Sequence, residues 1–259
     1  TLVTKTYRSW LAWDGDKVVL GPWAQPGREK GIRDIARKAQ NNMGGVPWIV
    51  GETGIPYDLY GGKAFKNGDF SAQEGAADAV MRALEVCFAN VAYWNYTSDN
   101  SNQHGDNWNA EDLSIFSRDQ MTGSGGINDG GRALKALVRP YARCFKGQPV
   151  TQKFDMDTKR FHFKFISGKE LDAQTEFFVP NYQYPNGYEC RVSDGKVVKS
   201  VKSQTLVWIH GTGGHPHEIY IWDPQVKFKW RRLLPVIGVL LLLVVLLIIL
   251  TTLKWEVDE

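Results

Sequence analysis

The segment Leu233 to Leu253 holds 21 residues without one charge, reading Leu-Leu-Pro-Val-Ile-Gly-Val-Leu-Leu-Leu-Leu-Val-Val-Leu-Leu-Ile-Ile-Leu-Thr-Thr-Leu. As a helix rising about 1.5 Å per residue it reaches roughly 31 Å, close to the ~30 Å hydrocarbon core of a bilayer. Leucine, isoleucine and valine occupy all of its faces, so a buried core helix would need a protein shell on every side. The expectation is a transmembrane helix over residues 233–253. Lys227, Lys229, Arg231 and Arg232 form a basic juxtamembrane segment before it, 227–232, and a short polar tail, 254–259, follows. The bias of basic residues predicts that the large preceding region faces the cytosol, as part of a single-pass protein anchored at its C-terminus. Because the chain ends in Lys-Trp-Glu-Val-Asp-Glu and not in the apolar run, a retained anchor is expected over a removable lipid-anchor signal.

Composition narrows the classes for the remainder. Thirty-one basic against 28 acidic side chains leave a net charge of +3, which is no footprint for nucleic acid. Ten tryptophans suit a carbohydrate or lipid surface. Cys87, Cys144 and Cys190 are too few and too far apart for a disulfide framework or a thiolate zinc site. The opening Thr-Leu-Val-Thr-Lys lacks both a Met and the apolar centre of a signal peptide, so Thr1 is expected not to be the natural start.

Two patterns divide the residues before the anchor. From 27 to 91, helix and strand spacings alternate. Ile32, Ile35, Ala36 and Ala39 recur at helical intervals, and Val46-Pro-Trp-Ile-Val50 is a short apolar run ending at Gly51. A helix beginning near Ser71 carries Ala76, Val80, Leu84, Cys87, Phe88 and Val91 on one stripe, with Ser71 and Glu74 spaced as a capping box. A strand over 90–96, a long polar loop to about Asp129 and a last helix from about Gly131 to Phe145 complete this part. After Lys146 the period becomes two, as in Arg160-Phe-His-Phe-Lys-Phe-Ile166, and Asp194-Gly195 reads as a hairpin turn. The fold expected is α/β, the C-terminal part of a (β/α)8 TIM barrel over 1–146, followed by a small all-β sandwich over 147–226 and the transmembrane helix. About 145 residues with two clear βα units are too few for a closed barrel, so an N-terminal barrel portion is expected to be missing.

Glu52 stands out, placed between Gly51 and Gly54 where an apolar strand ends, the position at which barrel enzymes carry catalytic groups. A glutamate there has the chemistry of glycoside cleavage, and it is equally what an exposed loop entry looks like. Trp94 ends the next strand, as a ring to stack on a sugar or as core.

The motifs Gly51-Glu-Thr-Gly-Ile-Pro-Tyr-Asp58, Tyr93-Trp-Asn-Tyr-Thr-Ser-Asp-Asn100 and His104-Gly-Asp-Asn-Trp-Asn-Ala-Glu-Asp-Leu-Ser-Ile-Phe116 are decisive in that order and spacing. With them the chain resembles the fungal, endoglycoceramidase-related glucosidases of glycoside hydrolase family 5, over about residues 10 to 222. The resemblance implies a retaining β-glucosidase acting on glucosylceramide or steryl glucoside. Glu52, at the seventh barrel strand, would attack the anomeric carbon. Trp94, at the eighth, would stack on glucose, and Asn107, Trp108 and Asp112 would line the substrate pocket. The family's acid/base residue lies in an Asn-Glu-Pro motif that these 259 residues do not contain, so the fragment alone is expected to be inactive. Trp13-Asp-Gly15 resembles the family's sixth-strand region too loosely to transfer a role.

Two carboxylates suffice for the reaction, and neither cofactor nor metal is expected. The expected partners are a glycolipid substrate and the membrane. His210, His215, His217 and Glu218 are of metal-binding types, but Gly211-Thr-Gly-Gly-His-Pro reads as a hairpin loop. Gly123-Ser-Gly-Gly-Ile-Asn-Asp-Gly-Gly131 lacks the ending of a phosphate loop and reads as a linker. Asn95-Tyr-Thr97 is a formal glycosylation acceptor placed in the mouth of the site, where a glycan would block substrate. The competing readings are a non-catalytic, membrane-anchored carbohydrate-binding descendant of the enzyme, and a soluble endo-acting hydrolase with an adventitious apolar tail.

Overall fold

The computed structural model describes residues 11–14, 17–20, 24–44, 46–169 and 173–226. The expected transmembrane span, its basic flank and the tail lie outside them. Among the described residues no helix is long and apolar enough to cross a membrane.

The chain begins with an antiparallel pair, β1 (Leu11–Asp14) and β2 (Lys17–Leu20), Leu11 facing Leu20 and Asp14 facing Lys17. Trp13 stands in β1. Helix α1 (Ala24–Met43) follows, with Ile32, Ala36 and Ala39 on its half-buried side. Next come β3 (Ile49–Thr53), α2 (Leu59–Asn67), α3 (Ser71–Glu85) and β4 (Asn90–Tyr93). β3 and β4 run parallel, Ile49 opposite Asn90 and Thr53 opposite Tyr93. Parallel neighbours need a crossover, and α2 with α3 supplies it, in the strand, helix, strand order of the sequence pattern.

Of the expected apolar stripe, Ala76 and Leu84 are buried and Val80 is half-buried, while Cys87, Phe88 and Val91 lie beyond the end of α3 at Glu85. Ala76 and the unanticipated Ala77 pack in a core with Ile55, Tyr57, Leu59, Ala133 and Ala136. The start of the helix differs from the expected capping box. Phe70 is the N-cap and Ser71 already lies in the helix, its N–H donating to Asp69 Oδ1 at 3.0 Å. Asp69 thus does the work assigned to Ser71, while Glu74 keeps a favourable place in the first turn.

The helix expected over 131–145 is a single turn, α4 (Leu134–Leu137), followed by β5 (Tyr141–Cys144). The pattern Leu134, Leu137, Tyr141 spans Pro140, which cannot donate within a helix and which drives the residue before it toward extended backbone. β5 belongs to the sandwich, which therefore starts at Tyr141 and not at residue 147.

Two four-stranded antiparallel sheets form that sandwich. One has the order β10 (Lys196–Ser200), β11 (Thr205–Ile209), β8 (Gln174–Phe178), β5; the other has β6 (Gly147–Asp155), β7 (Arg160–Ser167), β12 (Pro216–Trp222), β9 (Glu189–Val192). Alternation puts Phe161, Phe163 and Phe165 of β7 inward against Phe177, Leu206, Trp208, Ile219 and Ile221. Truncating one of these rings costs about 3–5 kcal/mol. Asp194-Gly195 is no hairpin turn, because β9 and β10 lie in different sheets, and the glycine-rich 211–215 segment joins different sheets as well.

A buried ionic hub ties the sandwich to α3. Arg139, 4% exposed, reaches both carboxylate oxygens of Glu85 at 2.7 and 3.1 Å, Asp78 at 2.8 Å and the Phe154 carbonyl at 2.8 Å. Glu85 also accepts the Phe154 N–H at 3.2 Å. Phe88, one turn beyond α3, packs against the sandwich core, and Met156 touches both cores.

Candidate active site

Parallel pairing brings the C-terminal ends of β3 and β4 to the same side. Glu52 is the fourth residue of β3, and its side chain is exposed. Among the described residues it has no hydrogen bond or ion pair, so nothing there competes with a ligand for its oxygens. Trp94, 38% exposed, directly follows β4, and its N–H donates to the Thr53 carbonyl at 2.7 Å. Gly54 lies so close beneath that a methyl group on it would overlap the Trp94 carbonyl oxygen. Glycine is needed here for close approach and not for an unusual backbone angle.

The Trp94–Asn95 peptide is cis. Beyond it, residues 113–115 run alongside the chain: Asn95 N–H donates to the Leu113 carbonyl at 3.1 Å and Ile115 N–H to the Asn95 carbonyl at 2.9 Å. The long loop is therefore folded back onto the strand end.

What holds it is polar. Asp106, 7% exposed, accepts from Asn95 Nδ2 and Asn100 Nδ2, each at 2.9 Å, and from the N–H groups of Leu113 and Ser114 at 3.0 and 3.1 Å. Asn100 also donates to Asp112 at 2.9 Å. Asp112 forms a bidentate pair with Arg132, which is 1% exposed, donates to the Ser114 carbonyl and lies 4.2 Å over the Tyr57 ring. Tyr57 N–H donates to the Asp112 carbonyl at 2.7 Å, which closes the circuit back to the β3 loop. Burial pushes the Tyr93 hydroxyl up to about 12 and the Tyr57 hydroxyl well above its ordinary value, so both stay neutral under the site.

The residues singled out in the sequence thus fall into two groups. Glu52, Trp94, Asn107 and Trp108 have open side chains, Trp108 at 64% exposure. Asp112 is 5% exposed and committed to Arg132 and Asn100, beneath the loop and not on an open wall. Arg132 and Asp106 carry the loop's framework. Asp106 sits inside the third motif, but no spacing rule marks Arg132 as its partner's partner.

Asn95 Nδ2, the atom a glycan would use, is engaged by Asp106. His210, His217 and Glu218 are also engaged, while His215 is exposed. His210 Nδ1 donates to the Gly211 carbonyl at 2.7 Å, which leaves Nε2 to accept from Thr175 at 3.0 Å. His217 joins Asp194 at 2.8 Å and Ser167 at 3.1 Å. With Ser167 only 6% exposed, this Ser-His-Asp string closes the seam between the sheets and has no room for a substrate. Glu218 pairs with His162 at 2.7 Å and accepts from Tyr220 at 2.9 Å. Among the described residues no group of three or more His, Cys, Asp or Glu side chains is arranged to hold a metal ion.

Residues 139–221 match the glycoside hydrolase family 5 C-terminal domain. A glucosylceramidase of Rhizopus delemar is 37% identical over 210 residues, covering 76% of this chain and 29% of its own length. An ergosteryl-beta-glucosidase of Saccharomyces cerevisiae is 26% identical, covering 82% of this chain and 37% of its own. The crystal structure of Cryptococcus neoformans sterylglucosidase 1 with tris superposes with a TM-score of 0.73 at 28% identity, covering 82% of this chain and 33% of that one. The chain spans about a third of the length of the curated relatives it matches.

Proposed function

We propose that the chain is the C-terminal part of an enzyme like the fungal glucosylceramidases and steryl glucosidases it is similar to, and that its protein hydrolyses the β-glucosidic bond of a membrane glycolipid. The observation that carries this reading is the exposed Glu52, unengaged among the described residues, at the end of one parallel strand beside an anchored Trp94 at the end of the next. In the proposed reaction a Glu52 oxygen attacks the anomeric carbon, the bond to the aglycone oxygen breaks, and a glucosyl ester forms. Water then cleaves the ester with retention. A second carboxylate about 5–5.5 Å away first protonates the leaving oxygen and then activates the water. These residues hold no Asn-Glu-Pro, so the proposal assigns the second carboxylate to chain outside the 259 residues. Trp94 offers its face to the glucose, and Asn107 and Trp108 line the approach.

The same reading accounts for exposed apolar residues on α1 and at the start of β3. Ile35, Met43, Val46 and Ile49 are 45–60% exposed, and the rest of a (β/α)8 barrel would supply surface to cover them. The apolar run 233–253 is proposed as a C-terminal anchor that keeps the site, on the cytosolic side, beside a substrate confined to the bilayer. Glucosylceramide and steryl glucoside share the headgroup and differ in the aglycone, and the chain is similar both to a glucosylceramidase and to an ergosteryl-beta-glucosidase.

Glucose release from each purified lipid by the complete protein tests the proposal. Glu52→Gln is expected to lower release about 10³-fold or more with unchanged unfolding temperature, since the side chain is exposed and has no ion pair among the described residues. Mass spectrometry after a 2-fluoro-glucoside trap should place the covalent sugar on the peptide containing Glu52. Turnover near the wild-type rate in the variant would overturn the nucleophile assignment, and no glucose from either lipid would overturn the substrate class.

A further inference from the structure

Residues 122–129 form a small closed finger in the long loop that follows β4. At its base Asp129 Oδ1 accepts both the N–H and the hydroxyl of Thr122, at 2.7 and 2.9 Å, and Ser117 N–H donates to the Gly130 carbonyl at 3.0 Å. The tip Gly123-Ser-Gly-Gly-Ile-Asn128 carries no charge, and its one large side chain, Ile127, is 100% exposed. Apolar side chains join the base of the finger to the segment that follows β4. A methyl group on Gly130 would meet the side chains of both Met121 and Phe116, so these lie side by side at the base. Phe116 packs against the Tyr96 ring at 5.6 Å, and Tyr96 is two residues from Trp94. Met121 is 51% and Tyr96 66% exposed, and Trp108 is exposed on the same loop.

We propose that this finger is a membrane-docking element that enters the lipid surface beside the active site, with Ile127 as its inserted tip. The proposal rests on the glycolipid reading above, and its occupant is a phospholipid bilayer containing the substrate. Three observations select a bilayer. The exposed apolar side chains Tyr96, Met121 and Ile127 all lie on the chain that follows the strand end carrying Trp94, on the side where a lipid aglycone would enter in the proposed reaction. Aromatic rings at the finger's base and an aliphatic side chain at its tip match the order of interface and hydrocarbon. Finally, the chain itself carries a 21-residue uncharged apolar run, starting eleven residues after β12, long enough to hold the molecule against a bilayer. A rigid base matters because a preformed finger inserts without paying the ordering entropy of a loose loop.

The test compares the complete wild-type protein with Ile127→Asp on two substrates: a glycolipid in phosphatidylcholine vesicles and a water-soluble aryl β-glucoside. The expected result is a loss of about tenfold or more on vesicles with the soluble rate unchanged, because one buried aliphatic side chain is replaced by a charge at the lipid surface. Equal effects on both substrates, or none on either, overturn the proposal. A separate arm reads docking without catalysis. Ile127→Cys labelled with an environment-sensitive dye should shift its emission to the blue on phosphatidylcholine vesicles. An unshifted spectrum, or a shift that tracks protein concentration without lipid and so reports contact between copies, overturns it. If the wild type cleaves neither substrate, the glycosidase reading fails, and the dye arm still decides docking.

Discussion

Asp112 and Trp108 are four residues apart in one motif, and their environments separate what each can do. Replacing Asp112 by Asn keeps shape and removes charge, which leaves the Arg132 guanidinium buried without a counter-ion. The expected cost is about 3–5 kcal/mol, read as a lower midpoint in denaturant unfolding of the complete protein. Activity should fall with the folded fraction and leave KM for the surviving enzyme unchanged. Trp108→Ala is the contrasting case. Its ring is 64% exposed, so unfolding should move by less than about 0.5 kcal/mol while KM for the glycolipid rises. A raised KM for Asp112→Asn at full stability would return that carboxylate to the pocket wall. The family resemblance placed both residues at the site because a motif match registers position along the chain, and only the three-dimensional contact with Arg132, twenty positions on, turns Asp112 inward.

Among the elements, Arg139 is the point on which α3 and the sandwich both depend. Burial pushes the Glu85 carboxyl up, and the adjoining Arg139 counters that push and keeps the carboxylate in use; the pair works only whole. Arg139→Ala is expected to cost about 3–5 kcal/mol, and adding Glu85→Gln should restore part of it by removing the stranded charge. Additive losses in the double variant would show that the two residues act independently. The elements around this hub differ in how legible they are from the sequence. α3 and the long alternating strand β7 are legible because burial on one face repeats a period, 3.6 or 2, over many residues, whereas β5 and β6 carry no such clear alternation. The helix expected over 131–145 failed at Pro140, where a local backbone restriction defeats a three-point apolar pattern. Asp194-Gly195 has the composition of a hairpin turn, yet the Asp194 carboxylate accepts from the Gly211 N–H at 2.7 Å and joins His217, contacts that draw the chain across to the other sheet. Such choices depend on partners seventeen or more residues away, which turn composition does not encode.

Across the whole chain, the buried phenols make an alkaline limit to stability. Burial raises Tyr57 in the α/β core and Tyr184 in the sandwich, and takes Tyr93 and Tyr188 to about 12. Each folded value lies above the ordinary tyrosine value near 10. The stabilisation from keeping these groups neutral is therefore fully present below about pH 10. Between pH 10 and 12 the unfolded chain binds fewer protons than the folded one, so stability falls as pH rises through that window. Thermal unfolding of the complete protein should hold nearly level from neutral pH to about 9.5 and then drop. Tyr93→Phe isolates one share of the effect. At pH 7 it should cost about 1 kcal/mol or less, and the variant's deficit should shrink or reverse by pH 12, because roughly 2 kcal/mol of the wild type's alkaline loss belongs to that hydroxyl. Tyrosinate absorbance gives an independent reading, with the buried phenols ionising only as the fold opens. A wild type and Tyr93→Phe that decline in parallel across pH 10–12 would mean that this hydroxyl meets solvent, and the strand-end platform beneath Trp94 would then be open to water.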